Sequence, residues 1–371
     1  MTTDTRSPAL SWTTVVPVLA VVTLLLTWGR KPTGSLGAVV VVAVAVVLGA
    51  AVLAAVHHAE VVAHRVGEPF GSLVLAVAVT VIEVALIVTL MISGGPETQS
   101  LARDTVFAAV MITTNGIVGL SLLVGALRHG IPAFNAEGTG GALATVVTLA
   151  TLCLVLPTFT TSVAGPQLSG GQLAFAAVAS LVLYVVFVLT QTVRHRDFFL
   201  PVATDGSDDL DGDTHADPPT NRTAAISLGL LLASLVAVVG LAKVESPAIE
   251  KAVAGAGFPP SFVGVVIALL VLLPETLAAV RAARRERIQI SLNLALGSAM
   301  ASIGLTIPTI AIASIWLDGP LLLGLEPTQI TLLAVTVVAS VLTVVPGRAT
   351  RLQAAVHLVL LAAFLFLAVS P

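Results

Sequence analysis

Two acids stand alone in stretches otherwise suited to oil. Glu83 sits within "VAVTVIEVALIVTL" (Val77–Leu90), and Glu275 within "VVIALLVLLPETLAAV" (Val265–Val280). A charged side chain at the centre of a bilayer costs at least about 2.5–3.5 kcal/mol on insertion scales, so each needs a partner. The apolar runs hold no Lys or Arg, and no other run carries an acid in its interior: Glu60 and Glu326 fall near the ends of theirs. What remains is a proton, a cation, or polar groups from other helices. A carboxylate so placed is suited to being neutralised by hydrogen ions or by a metal cation in turn.

Candidate neighbours lie on the next apolar run after each acid. In "MITTNGIVGLSLLVG" they are Asn115, with Gly116 and Gly119; in "SLNLALGSAMASIGLTIP" they are Asn293, Gly297, Ser298 and Ser302. Ser298 and Ser302 are spaced i, i+4, as are Asn293 and Gly297, which makes one small, hydroxyl-bearing helical face. Cation coordination is the favoured reading for Asn115 and Ser298, and close helix packing for the glycines. Pro274, just before Glu275, disfavours helical geometry at Leu273 and frees a carbonyl near the carboxylate. Carboxylate, amide, hydroxyl and carbonyl oxygens together suit calcium, magnesium or alkali ions, whereas soft metals want Cys or Met.

A rival cluster is "HHAEVVAHR", in which His57, Glu60 and His64 share a helical face. Alone it would suit the metal site of an intramembrane metalloenzyme. It falls at a helix end, where polar groups reach water, and no second cluster completes the shell, so an interfacial or gating role is preferred. His129, His195, His215 and His357 are scattered, and a surface or interface role suffices for them. Cys153, the single cysteine, reads as a small apolar core residue and excludes an intramolecular disulfide.

The elements that must position these residues are membrane helices. Of 371 residues, 57% are hydrophobic and 10% charged, against about 45–50% and ~25% in soluble domains. Runs of the roughly 17–25 residues needed to cross a bilayer recur from end to end. They are Ser11–Trp28, Ala38–Val62, Ser72–Ile92, Thr105–Leu127, Gly141–Val163 and Gln172–Val193, then Ala224–Leu241, Pro260–Val280, Ile290–Leu317, Leu321–Val345 and Leu352–Val369. The first is expected to be a retained helix rather than a cleaved signal, because it is long and lacks a small-x-small cleavage site.

Charge sets orientation and excludes some partners. Arg6, Arg65, Arg128, Arg194, Arg196, Arg222, Arg281, Arg284, Arg285, Arg287, Arg348 and Arg351 fall on one side, leaving five of the 17 basic residues (Arg30, Lys31, Arg103, Lys243 and Lys251) on the other. The positive-inside rule then places the N-terminus in the cytoplasm and the C-terminus outside. A net charge of −3 without further basic clusters argues against nucleic acid.

One long polar segment, residues 194–222, divides the chain and has the composition of a disordered linker. Its "DLDGD" (Asp209–Asp213) hints at a calcium loop, but a loop starting at Asp209 needs Gly and Glu where Thr214 and Thr220 stand. The expected fold is an all-α polytopic membrane protein of about eleven transmembrane helices: one extra N-terminal helix (residues 1–35) plus two inverted five-helix repeats (36–193 and 223–371). An odd number of helices per half forces opposite orientations, a transporter architecture with its site at the midplane. Glu83 and Glu275 occupy the second helix of each half.

These residues resemble the proton-coupled branch of the calcium/cation antiporter superfamily, and within it the ChaA-type bacterial calcium/proton antiporters. "HHAEVVAHRVGEPFGSLVLAVAVTVIEVALI" (His57–Ile87) is similar to the family's first signature, including Glu60, Arg65, Gly67, Glu68 and Gly71, with Glu83 as the ion-binding acid. "LLPETLAAVRAARRERIQISLNLALGSAMASIGLTIP" (Leu272–Pro308) is similar to the second, with Glu275 as its acid and Gly297-Ser298 as its Gly-Ser pair. The resemblance puts Asn115 in the place equivalent to Ser298. Val79-Thr80 and Val271-Leu272 stand where wider exchangers carry Gly-Asn, making Thr80 a substitute ligand.

The resemblance implies exchange of cytoplasmic calcium, or of sodium or potassium, for protons by alternating access. Glu83 and Glu275 would bind cation or protons in turn, with Asn115, Ser298, Asn293, Ser302 and Thr80 around them and His57, Glu60, His64 and Glu68 as gating candidates. The implied partners are the cation, protons and membrane lipid, with no resident cofactor. A monovalent cation/proton antiporter is the near alternative; a cation channel or an intramembrane metalloenzyme is the alternative of another class.

Overall fold

Inside a bilayer the backbone has no water to bond, so apolar runs of this length satisfy their N–H and C=O groups internally, as helices. The computed structural model describes residues 11–29, 34–67, 70–94, 98–202, 219–316 and 319–371. In order the helices are α1 (Trp12–Thr27), α2 (Gly34–Val66), α3 (Phe70–Gly94), α4 (Leu101–Met111), α5 (Val118–His129), α6 (Ala136–Ala150), α7 (Leu156–Phe159), α8 (Gly170–Leu189), α9 (Asn221–Gly255), α10 (Phe262–Val271), α11 (Leu273–Arg284), α12 (Ile288–Ala313), α13 (Pro327–Val344) and α14 (Arg351–Val369). A π-helical turn, Ile112–Ile117, joins α4 to α5, and another, Thr151–Val155, joins α6 to α7. Among the described residues nine continuous helices are long and apolar enough to cross a membrane; the bent pair α10–α11 and the shorter apolar α1 bring the set to the expected eleven.

Three helix ends depart from the hydropathy reading, each for a local reason. α4 starts at Leu101 rather than Thr105, with Asp104 in its first turn, where a carboxylate complements the helix dipole. α9 continues past Leu241 to Gly255 through Lys243 and Glu245, with Pro247 inside it. α13 starts only at Pro327, a residue whose fixed φ suits a first turn. The preceding strip is held by backbone bonds from Leu322 N to Gln99 O (3.2 Å), Gly324 N to Pro166 O (2.9 Å) and Leu325 N to Leu154 O (2.8 Å).

The chain forms two compact units, each drawing helices from both sides of the polar segment. One consists of α1, α2, α3 and α9. Here α2 packs along α9, α1 lies against both, and α3 packs on α2 and α9. Leu24 of α1 fills the space at Gly240 of α9, where a Cβ would come within 2.5 Å of it. The turn into α3 needs its glycines: Gly67 adopts φ +76°, and a Cβ on Gly71 would stand 2.6 Å from the Ala63 carbonyl oxygen.

The other unit consists of α4–α8 and α10–α14. Its most enclosed span is α4–π–α5, with 89% of its most apolar window buried, followed by α12 with 61%. These are the two runs that carry the amide and hydroxyl candidates. α12 packs against α8, α6, α11 and the π turn, and α14 against α5 and the π turn. Cys153 is fully buried within the Thr151–Val155 turn, as a small core residue should be. Of the polar segment, Arg196–Phe199 forms one turn of 3-10 helix; Asp209–Asp213 and the gating candidate Glu68 lie outside the described residues.

Candidate functional site

Glu83 projects from the middle of α3 and is 4% exposed. Thr80, almost one turn before it on the same helix, is also buried. Within this unit the cluster near the end of α2 lies closer to the surface. His57 is half-buried, while Glu60 and His64 are exposed. The enclosed histidine is their neighbour His58, whose Nε2 donates to the Thr13 carbonyl at 2.8 Å and ties α2 to α1. Trp12 and His58 flank the His57 ring at centroid distances of 6.4 and 5.5 Å. Among the described residues no three His, Cys, Asp or Glu side chains come together as a metal cluster.

Glu275 owes its setting to a broken helix. α10 ends at Val271, Leu272 carries φ −86° and ψ 0°, and α11 restarts at Leu273 with its axis turned by 52°. The break centres on Leu272, one residue earlier than Pro274 alone suggests. Pro274 has no N–H for the Leu270 carbonyl, while the backbone and hydroxyl of Thr276 both donate to the Leu272 carbonyl at 2.9 and 2.7 Å. Glu275 therefore stands, half-buried, in the first turn of α11. A helix N-terminus carries partial positive charge, which stabilises a carboxylate placed there.

α11 packs on α12, on α5 and on the π turn. The Ser291 hydroxyl locks α12 to α11 by donating to the Ala279 carbonyl at 2.6 Å. On α12, Ser302 is 4% exposed, Gly297 and Ser298 are half-buried, and a Cβ at Gly297 would meet nothing within 4 Å. Gly116 and Gly119 differ: they face Leu361, and His357 with Leu358, on α14. Close packing thus accounts for those two glycines and not for Gly297.

Asn115 is fully buried within the π turn. A π turn frees helix carbonyls, and here threonines take them up. Thr113 Oγ1 donates to the Ala109 carbonyl at 2.8 Å, and Thr114 Oγ1 to that of Val110 at 2.6 Å. The Asn115 amide donates to Thr336 Oγ1 at 3.0 Å, and its oxygen lies 3.2 Å from His357 Nδ1. Asn293 is held elsewhere: its amide nitrogen donates to the Phe199 carbonyl at 2.6 Å and its oxygen accepts from Gln289 at 2.9 Å. The structure thus joins Asn115 to α13 and α14, and Asn293 to the end of the 196–199 turn.

Further buried groups among the described residues escaped the sequence reading. His357, expected at a surface or interface, is 1% exposed. Glu245 is 2% exposed on the extended α9. Arg103 and Asp104 form an ion pair at 2.8 Å with side chains 7% and 2% exposed. Hydropathy stopped short of Arg103, Asp104 and Glu245 because charges at the ends of a run lower its average while the helix itself continues.

Comparison with known proteins agrees with this architecture. The family model described as sodium/calcium exchanger protein matches residues 35–193 and 226–370. A putative ionic transporter, y4hA of Sinorhizobium fredii, is 46% identical over 328 residues, 87% of each chain. The sodium-potassium/proton antiporter ChaA of Escherichia coli is 33% identical over 353 residues, 95% of this chain and 94% of that one. Two solved structures share the fold: native YfkE, with TM-score 0.71 at 15% identity over 97% of this chain and 99% of that one, and the H+/Ca2+ exchanger CAX, with TM-score 0.69 at 16% identity over 95% and 86%. Apolar helices long enough to span a membrane, an acid at a helix break and a family match over both halves lead to one assignment: the chain belongs to the sodium/calcium exchanger protein family and is a multi-pass cation antiporter, not an enzyme.

Proposed function

We propose that the chain exchanges cytoplasmic calcium for external protons by alternating access, with Glu83 and Glu275 neutralised by hydrogen ions or by the cation in turn. The observation that carries this reading is the broken α10–α11 helix with Glu275 in the first turn after the break. In secondary transporters the unwound backbone of discontinuous helices supplies carbonyl oxygens to the ion, and in this reading Glu275 adds a carboxylate beside the break. Asn115, Ser298, Ser302 and Thr80 add amide and hydroxyl oxygens, the donors that hard cations prefer. Asn293, held between Gln289 and the Phe199 carbonyl, serves the site by anchoring α12.

Coupling follows from charge. Two carboxylates accept two protons or one divalent cation, and hardly both loads together. A site left empty and doubly ionised crosses poorly, so transport is an obligatory swap. The bacterial relatives support a plasma-membrane setting, and the basic-residue bias supports an N-terminus in the cytoplasm.

Sodium or potassium is the second reading for the cargo, favoured by the relative named as a sodium-potassium/proton antiporter. Proteoliposomes with a preset proton gradient decide between them. Calcium, sodium and potassium are added in turn and the collapse of the gradient is followed. The half-saturating cation concentration should rise as pH on the cation side falls, with the maximal rate preserved, because protons compete for the same carboxyls. No response to any of the three cations would refute exchange.

A further inference from the structure

A chain of buried polar groups crosses the second unit beside the π turn. Thr343 of α13 lies 3.2 Å from His357 Nε2, His357 Nδ1 lies 3.2 Å from Asn115 Oδ1, and Asn115 Nδ2 donates to Thr336 Oγ1 at 3.0 Å. The Thr336 hydroxyl in turn donates to Met111 Sδ at 3.7 Å. None of the four residues Thr343, His357, Asn115 and Thr336 is more than 4% exposed. The hydrogen positions follow from the partners. With the amide nitrogen on Thr336, the end of Asn115 that faces His357 can only accept, so Nδ1 carries the ring hydrogen and Nε2 accepts from Thr343. All four bonds then point the same way, an arrangement in which each polarises the next.

Inverting the amide would require the imidazole to change tautomer and would take the Thr336 hydroxyl away from Met111 Sδ, so this order favours one orientation of a side chain that could otherwise turn over. A carboxamide in a buried site can present either oxygen or nitrogen, and only the oxygen serves a cation. We propose that His357 is a positioning residue for cation binding: its Nδ1–H occupies one lone pair of the Asn115 oxygen and fixes the amide, leaving the second lone pair for the ion. The packing around the ring fits that task. Gly119 lets His357 approach α5, where a Cβ would come within 3.1 Å of the histidine's own Cβ. The unit places Thr114, Thr139 and Ser340 with His357 along one narrow cavity. The inference rests on the exchange reading above and adds to it a residue outside both acid-bearing helices.

The test uses the full chain in proteoliposomes, with the half-saturating concentration and maximal rate of cation-driven proton movement measured separately. His357→Leu should raise the half-saturating concentration about tenfold, the lower end of what losing a ligand's orienting partner costs, with the maximal rate kept within about twofold. His357→Asn, which puts an amide N–H near the Nδ1 position, should restore most of the affinity. Adding His357→Leu to Asn115→Ala should cost nothing further, since both remove the same interaction. Thr343→Val, which removes only the hydroxyl behind the ring, should give a smaller shift of the same sign and keeps the test alive if His357→Leu does not fold.

An unchanged half-saturating concentration in His357→Leu, equal loss in His357→Leu and His357→Asn, fully additive penalties with Asn115→Ala, or no effect of Asn115→Ala would each overturn the assignment. Failure of the exchange reading is a different result: the unaltered protein itself would move no protons in response to calcium, sodium or potassium.

Discussion

Arg103 and Asp104, adjacent in sequence, close on each other at 2.8 Å at the start of α4, with both side chains almost wholly buried. Every strong partner is engaged. Arg103 also reaches the Gly324 carbonyl at 3.2 Å and Glu326 at 3.4 Å, and Ser100 donates to the second oxygen of Asp104 at 2.8 Å. The cluster pins the Leu321–Leu325 strip and the start of α13 to α4. Removing one member of a buried pair strands the other's charge and costs about 3–5 kcal/mol. Arg103→Met should therefore lower the melting temperature in detergent markedly, and Arg103→Met with Asp104→Asn should recover part of the loss. A single variant as stable as the parent would show that the pair does not hold the unit together.

Gly264 of α10 and Gly297 of α12 make a contrasting pair. A Cβ on Gly264 would stand 2.8 Å from the Thr105 backbone nitrogen, a group that cannot swing aside, whereas one on Gly297 meets nothing within 4 Å. Gly264→Ala should cost about 1–3 kcal/mol through overpacking, and Gly297→Ala should leave melting unchanged. Thermal unfolding of the two alanine variants side by side checks this. Equal melting temperatures would contradict the α4–α10 contact.

Pro274→Ala restores an N–H opposite the Leu270 carbonyl and removes the ring that helps maintain the 52° bend. The variant should be at least as stable as the parent, yet its apparent cation affinity should drop about tenfold, or roughly 1.4 kcal/mol of binding. Cation titrations of proton movement read this directly. Undiminished affinity would mean that the break serves folding and not the ion.

Much of this was legible in the sequence because lipid imposes simple rules. Length and hydropathy marked each helix, and a lone carboxylate in an apolar run marked Glu83 and Glu275. Asn115 stood out as an amide in the equivalent run. The π turn around Asn115 left no such mark, since Thr113, Thr114 and Gly116 suit an α-helix nearly as well, and the extra residue shows only in the backbone. His357 was hidden for a related reason: a single histidine near the start of the last apolar run looks interfacial until Asn115 and Thr343 are seen on either side of it. Arg103, Asp104 and Glu245 were concealed by averaging, because a hydropathy window ends where charges begin even when the helix does not.

The central claim, that Glu83 and Glu275 are the groups on which cation and protons take turns, is tested most directly in everted membrane vesicles acidified inside. Adding calcium, or the alkali cation that proves to be the cargo, should release protons from vesicles carrying the unaltered chain. Glu83→Gln and Glu275→Gln keep the shape of each side chain and remove its ability to ionise, and each should abolish the release at unchanged protein level in the membrane. Proton release that persists in both variants would contradict the account.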